Sequence, residues 1–169
     1  QGHFSAELAK RVLQDEDART ALVENTVREM QKQGFSGVDV DFEFLGRAMA
    51  SRYAAFLEEL SRAVHAAGGL FMAAVAPKTS DGQPGALYEG HDYAAIGAVC
   101  DQVLLMTYEW GYTYGPPMAV APIEAVRRVV RYACSRIEPE KLLLGFPNYA
   151  YDWTLPYEAG LTRAVVIGN

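Results

Sequence analysis

Cysteine is nearly absent from this 169-residue sequence, where Cys100 and Cys134 are the whole supply. Their spacing fits no metal or redox motif, so two buried free thiols are expected rather than a disulfide. Histidine is scarce too, with three residues scattered along the chain. Without a histidine and carboxylate cluster at ligand spacing, no metal and no other cofactor is expected. Positive charge is in deficit: 15 Lys and Arg stand against 21 Asp and Glu, for a net charge of −6. That balance, with no basic run, argues against nucleic acid or an anionic membrane as partner. No apolar run approaches the roughly 20 residues of a membrane span, so membrane insertion is not expected. There is no initiator Met and no signal peptide, and the sequence stops in the apolar run Ala164-Val165-Val166-Ile167 followed by Gly168-Asn169. It reads as a segment of something longer, and its compartment is not written in it.

What is present is an acidic strand. In Gly37-Val38-Asp39-Val40-Asp41-Phe42-Glu43-Phe44 apolar and acidic residues alternate, the period-two signature of a β-strand. One face would carry Asp39, Asp41 and Glu43, and the other Val38, Val40, Phe42 and Phe44. Alternate residues on a face lie about 6.6 to 7 Å apart. If that face lines a cleft, the three carboxylates cannot all ionise at ordinary pKa values, and one held protonated is a general acid. A half-exposed strand with its acids in water is the plain alternative.

Around this strand the pattern alternates. A helix is expected over 17–33, with Asp17 as N-cap and Gly34 as its stop, and a second over 51–67, with Tyr53, Phe56, Leu57, Leu60 and Val64 as a core stripe. His65 reads as a C-terminal helix residue with no catalytic part. Strands are expected at 38–44, 70–76, 102–108 and 141–146, separated by short helices at 92–99 and 122–134. Such a series predicts an α/β fold with a parallel sheet and right-handed crossovers. An open doubly wound sheet would want a phosphate loop, and none is present. A (β/α)8 TIM barrel wants polar groups at the carboxyl ends of several strands, where Glu43, Tyr108 and Asn148 fall. A whole barrel needs about 250 residues, so a partial one is expected, with long open edges that would make it unstable alone.

The acidic strand resembles the signature of family 18 glycoside hydrolases, the chitinase-like enzymes, Asp-Gly-x-Asp-x-Asp-x-Glu on the fourth strand of a (β/α)8 barrel. Ser36 stands in place of the first acid, and Asp39, Asp41 and Glu43 match the other three. The resemblance implies that residues 1–169 are part of such a catalytic domain, covering about strands four to seven. Met106-Thr107-Tyr108-Glu109 is similar to the family's Met-x-Tyr-Asp, with Glu109 for the Asp. By the resemblance Glu43 is the general acid, Asp41 orients the substrate's acetamido group, Asp39 tunes Asp41, and Tyr108 holds the acetamido carbonyl. The mechanism implied is retaining and substrate-assisted.

Met106 to Gly115, with Pro147-Asn148-Tyr149 and Tyr151-Asp152-Trp153, is similar to the spore cortex-lytic and sporulation-associated branch of the family. That implies β-1,4 cleavage at N-acetylglucosamine in peptidoglycan, outside the cytoplasm in the spore or cell envelope. Met106, Glu109, Trp110, Tyr112, Asn148 and Tyr149 are then the candidate substrate contacts, although half of the loop aromatics could equally pack the loops. A chitinase proper and a non-catalytic sugar-binding barrel are the alternatives.

Overall fold

Ser5 and Asp15 each begin a helix by accepting a backbone N–H with a side-chain oxygen: Leu8 N to Ser5 Oγ at 3.2 Å and Ala18 N to Asp15 Oδ1 at 3.0 Å. These caps open α1 (Ala6–Gln14) and α2 (Glu16–Gln33) in the computed structural model, which describes residues 5–168. The N-cap of α2 is therefore Asp15 and not Asp17. Asp17 instead sits in the first turn, where its charge suits the helix dipole. Gly34 ends α2 in the left-handed conformation at φ 69°. Asn169, the last residue of the apolar tail noted above, lies outside the described residues.

Four strands follow in parallel: β1 (Gly37–Val40), β2 (Leu70–Val75), β3 (Gln102–Leu105) and β4 (Leu142–Leu144), hydrogen-bonded in the order β1-β2-β3-β4. Register pairs Val38 with Phe71, Met72 with Gln102 and Leu104 with Leu143. Helix α3 (Ala50–Ala66) lies between β1 and β2 in sequence, and α5 (Tyr93–Val99) between β2 and β3. The expected stripe of α3 is core, since Tyr53, Phe56, Leu57, Leu60 and Val64 are all 2% exposed or less. They pack with Phe71, Val75 and Ile96 in one cluster. Helix α6 (Ile123–Ala133) leads into β4, with Pro122 at its N-cap. The segment between β2 and α5 contains one short helix, α4 (Ala86–Glu89).

Three strands run shorter than their sequence pattern, at 37–40, 102–105 and 142–144, because the ladder ends before the apolar pattern does. A second, antiparallel sheet of β5 (Tyr149–Asp152) and β6 (Val165–Gly168) absorbs the apolar tail. Of the two thiols, Cys100 is buried and Cys134 is exposed at the end of α6, so the expectation of two buried thiols holds for one only. Both are free.

Candidate active site

Past Val40 the chain leaves the ladder with its carboxylates still alternating. Phe42 is the anchor, for its ring stacks on Tyr53 at 5.8 Å and on Phe56 at 5.6 Å, both from α3. With Phe42 turned into the helix layer, Asp41 and Glu43 face the other way. Phe44 does not follow Phe42 into the core. Its φ of 56° turns the chain, and it stands half exposed while Leu45 is buried in its stead.

The three acids are pushed above the usual carboxylate range. For Asp39 the cause is desolvation, opposed by a backbone hydrogen bond from Val40. For Asp41 it is desolvation and then the charge of Asp39, and for Glu43 desolvation and then the charge of Asp41. Asp39 and Asp41 keep a solvent-exposed side, so their desolvation is partial. Each of the two later acids thus feels the charge of the one before it.

Tyr108 reaches the same place from the far side of β2. After Leu105 the backbone tightens, with Thr107 N donating to Leu105 O at 2.8 Å and Tyr108 N to Met106 O at 2.9 Å. Glu109 then takes a positive φ of 65°. Met106 and Tyr108 thus share a side through a tight turn and not through strand alternation. Thr107, fully buried, donates its hydroxyl to Gly145 O at 2.9 Å. A Cβ on Gly145 would lie 2.4 Å from the Tyr108 ring, so the glycine leaves room for the tyrosine. Desolvation and then the negative charges of Asp41, Glu43 and Glu109 push the Tyr108 phenol up, which keeps it a hydrogen-bond donor.

These groups enclose a cavity of about 130 Å³ lined by Glu43, Met106, Tyr108, Glu109 and Trp110 together with Pro77, Leu87 and Tyr88. Pro77 follows β2 directly, while Leu87 and Tyr88 did not stand out in the sequence, because nothing in residues 78–91 marks which of them fold back on the strand ends. A larger apolar groove of about 510 Å³ opens on the other side of Asp41 and Glu43, lined in part by Leu8, Ala9 and Val12 of α1. Glu43 borders both.

The remaining candidates take other places. The Glu109 carboxylate accepts from Tyr149 Oη at 2.5 Å and Tyr151 Oη at 3.0 Å, tying the cavity rim to β5. Tyr149, Tyr151 and Trp153 pack against one another along one face of that strand. Tyr112 does not line the cavity and lies edge-on to Tyr114 at 6.3 Å. Asn148, between β4 and β5, does not line it either. Among the described residues no group of three or more His, Cys, Asp or Glu could hold a metal ion.

Glu43, the last of three acids at the end of a parallel strand, thus shares a small cavity with Tyr108. The chain belongs to family 18 of the glycosyl hydrolases, whose pattern it matches over residues 4–165. Among its relatives, the cortical fragment-lytic enzyme of Bacillus subtilis (strain 168) is 45% identical over 161 residues, covering 95% of this chain and 37% of the relative. The crystal structure of the spore cortex-lytic enzyme SleL of Bacillus megaterium QM B1551 superposes with a TM-score of 0.92 at 42% identity, covering 99% of this chain and 38% of that one. A chitinase from Chromobacterium violaceum ATCC 12472 gives 0.83 at 30% identity, over 89% and 47%. The fold is thus the α/β fold of the chitinase-like family, and the chain spans under half the length of these relatives.

Proposed function

We propose that residues 1–169 are part of the catalytic domain of a retaining glycosidase that cleaves β-1,4 bonds at N-acetylglucosamine in peptidoglycan. The observation that carries this reading is the shared cavity of Glu43 and Tyr108, with Asp41 and Asp39 just before Glu43 in the chain. In the same reading the four-stranded sheet is an arc of a (β/α)8 barrel, strands four to seven. The free edges of β1 and β4 and the exposed Phe146 are where further strands would add.

The chemistry follows from the order of the acids. Glu43, protonated, gives its proton to the glycosidic oxygen as the bond to the anomeric carbon breaks. The substrate's own acetamido oxygen attacks that carbon, forming an oxazolinium ion, so no nucleophile from the protein is needed. Asp41 faces the positive charge of that ring, Asp39 raises the proton affinity of Asp41, and Tyr108 donates to the acetamido oxygen. Water then attacks the anomeric carbon and returns a proton to Glu43. Configuration is retained, and a new reducing N-acetylglucosamine end appears.

Trp110 and Met106 give this cavity the apolar wall that a sugar face requires, and Glu109 shapes it from the rim. Peptidoglycan rather than chitin is favoured by the higher identity to the cortex-lytic relatives, 42% and 45% against 30% for the chitinase. Such a substrate places the protein outside the cytoplasm, in the spore or cell envelope.

The test sets the full-length protein and its Glu43→Gln variant on cortex peptidoglycan and on chitin oligomers, with products read by mass. Muropeptides released by the native protein alone, ending in reducing N-acetylglucosamine, are expected. Binding without release by either form would make this a sugar-binding barrel. Release from chitin alone would make it a chitinase.

A further inference from the structure

We propose that His91 is a positioning residue for the acid pair: its ring carries a hydrogen bond from the end of β2 to the backbone between Asp41 and Glu43. The ladder between β1 and β2 stops at Val40 opposite Ala73, so the residues that bear Asp41 and Glu43 have left the pairing that would hold them. His91, 1% exposed on the loop before α5, supplies what the ladder no longer does. Its Nδ1 lies 2.9 Å from the Ala76 backbone N, and its Nε2 lies 2.8 Å from Phe42 O.

The partners fix the protonation of the ring. A backbone amide can only donate and a carbonyl can only accept, so Nδ1 must be bare and Nε2 must carry the proton. An imidazolium would have no lone pair for Ala76. Burial disfavours that cation and outweighs the favourable bond to the Phe42 carbonyl, with the charge of Lys78 adding to its effect. Lys78, itself 3% exposed, donates its ammonium to His91 O at 2.8 Å. Tyr93 Oη donates to Ala76 O at 2.5 Å and accepts from Lys78 N at 3.0 Å. The tilted Tyr53 ring is 5.8 Å away on the remaining side.

Phe42 is thus held twice, through its ring by Tyr53 and Phe56 and through its carbonyl by His91. The peptide plane after Phe42 leads directly into Glu43, so the carbonyl direction sets where the Glu43 side chain starts. His91 does not line the cavity that Glu43 shares with Tyr108. It acts on the acid through the backbone, which makes it a support and not a catalytic group.

This inference rests on the reading of Glu43 as the general acid. Its test uses the full-length protein, with native, Glu43→Gln, His91→Asn and His91→Gln forms assayed for kcat and KM on the native substrate, each normalised to its folded fraction. His91→Asn leaves an acceptor near the Nδ1 position but no donor that reaches Phe42 O, whereas His91→Gln can place an amide N–H near the Nε2 position. The expected result is a fall in kcat of about tenfold to a hundredfold for His91→Asn at nearly unchanged KM, with His91→Gln recovering most of it. Unchanged kcat in folded His91→Asn overturns the proposal, as does an equal loss in both variants that follows their melting temperatures. Because either variant can fail to fold, the native ring is also read by nitrogen NMR at neutral pH. The Nε2–H tautomer is expected, and an imidazolium or the Nδ1–H tautomer overturns the proposal. A native protein no more active than Glu43→Gln would instead strike at the glycosidase reading itself.

Discussion

The two ends of the parallel sheet use the same residue types to opposite effect. At the amino end, Asp101 accepts from Phe71 N at 2.7 Å and from His65 Nε2 at 2.9 Å. Those bonds hold its carboxyl below the usual range. At the carboxyl end, desolvation outweighs the backbone hydrogen bond from Val40 at Asp39 and pushes all three acids above it, with the charge of Asp39 adding to the shift of Asp41 and that of Asp41 to the shift of Glu43. A carboxylate with its donors supplied fastens the fold, while a row of them short of donors holds protons ready to move. Two histidines divide likewise, His65 half-open with its ring nitrogen on the Asp101 carboxylate and His91 sealed between two backbones.

The strongest way to break this contrast is at Asp41. Asp41→Asn removes both the charge that would face the oxazolinium ring and the nearest negative neighbour of Glu43. We expect kcat to fall by about 10² to 10³ on the native substrate. With that neighbour neutral, Glu43 loses its proton more easily, so the basic limb of the kcat/KM profile moves to lower pH. A limb that stays in place would show that Asp41 does not set the acid. Next in size is Gly145→Ala, whose Cβ would push into the Tyr108 ring. The displaced phenol should cost on the order of ten- to a hundredfold in kcat. Native activity in that variant would remove Tyr108 from the site.

Much of this arrangement was legible in the residues alone, and the reasons are specific. Alternation at 37–44 announced a strand with an acidic face, and the Tyr53 to Val64 stripe announced the helix that buries its other face. The strand pattern ran on to Phe44 because period two describes where side chains point, not where hydrogen bonds exist. Beyond Val40 the chain keeps the first and loses the second. Helix α1 escaped notice although Ser5 is a good N-cap and Leu8, Ala9 and Val12 recur at helical spacing. The contribution of Leu87 and Tyr88 to the cavity was not legible, since it depends on how the 78–91 loop folds back. His91 was silent for the same reason: nothing local distinguishes a histidine that joins two strand ends from one that fills a core.

The smallest effects are those of stability, where the two ends should differ in sign. Asp101, held low in the folded state, stabilises above the unfolded aspartate pKa of about 3.9, and that contribution disappears as pH falls through its folded value. Asp101→Asn should therefore lower the melting temperature at neutral pH and become neutral in strong acid. Its partly exposed bonds are worth about 1 kcal/mol. Asp39 runs the other way. Its folded pKa is raised, so it favours the native state only while protonated, and that contribution is lost as pH rises through the folded value. Asp39→Asn should raise the melting temperature at neutral pH, with the gain vanishing below about pH 4. Melting curves of the full-length protein at several pH values check both at once. Slopes of the same sign for the two variants would mean that the carboxyl-end acids are as well satisfied as Asp101, and the poised row would be an ordinary one.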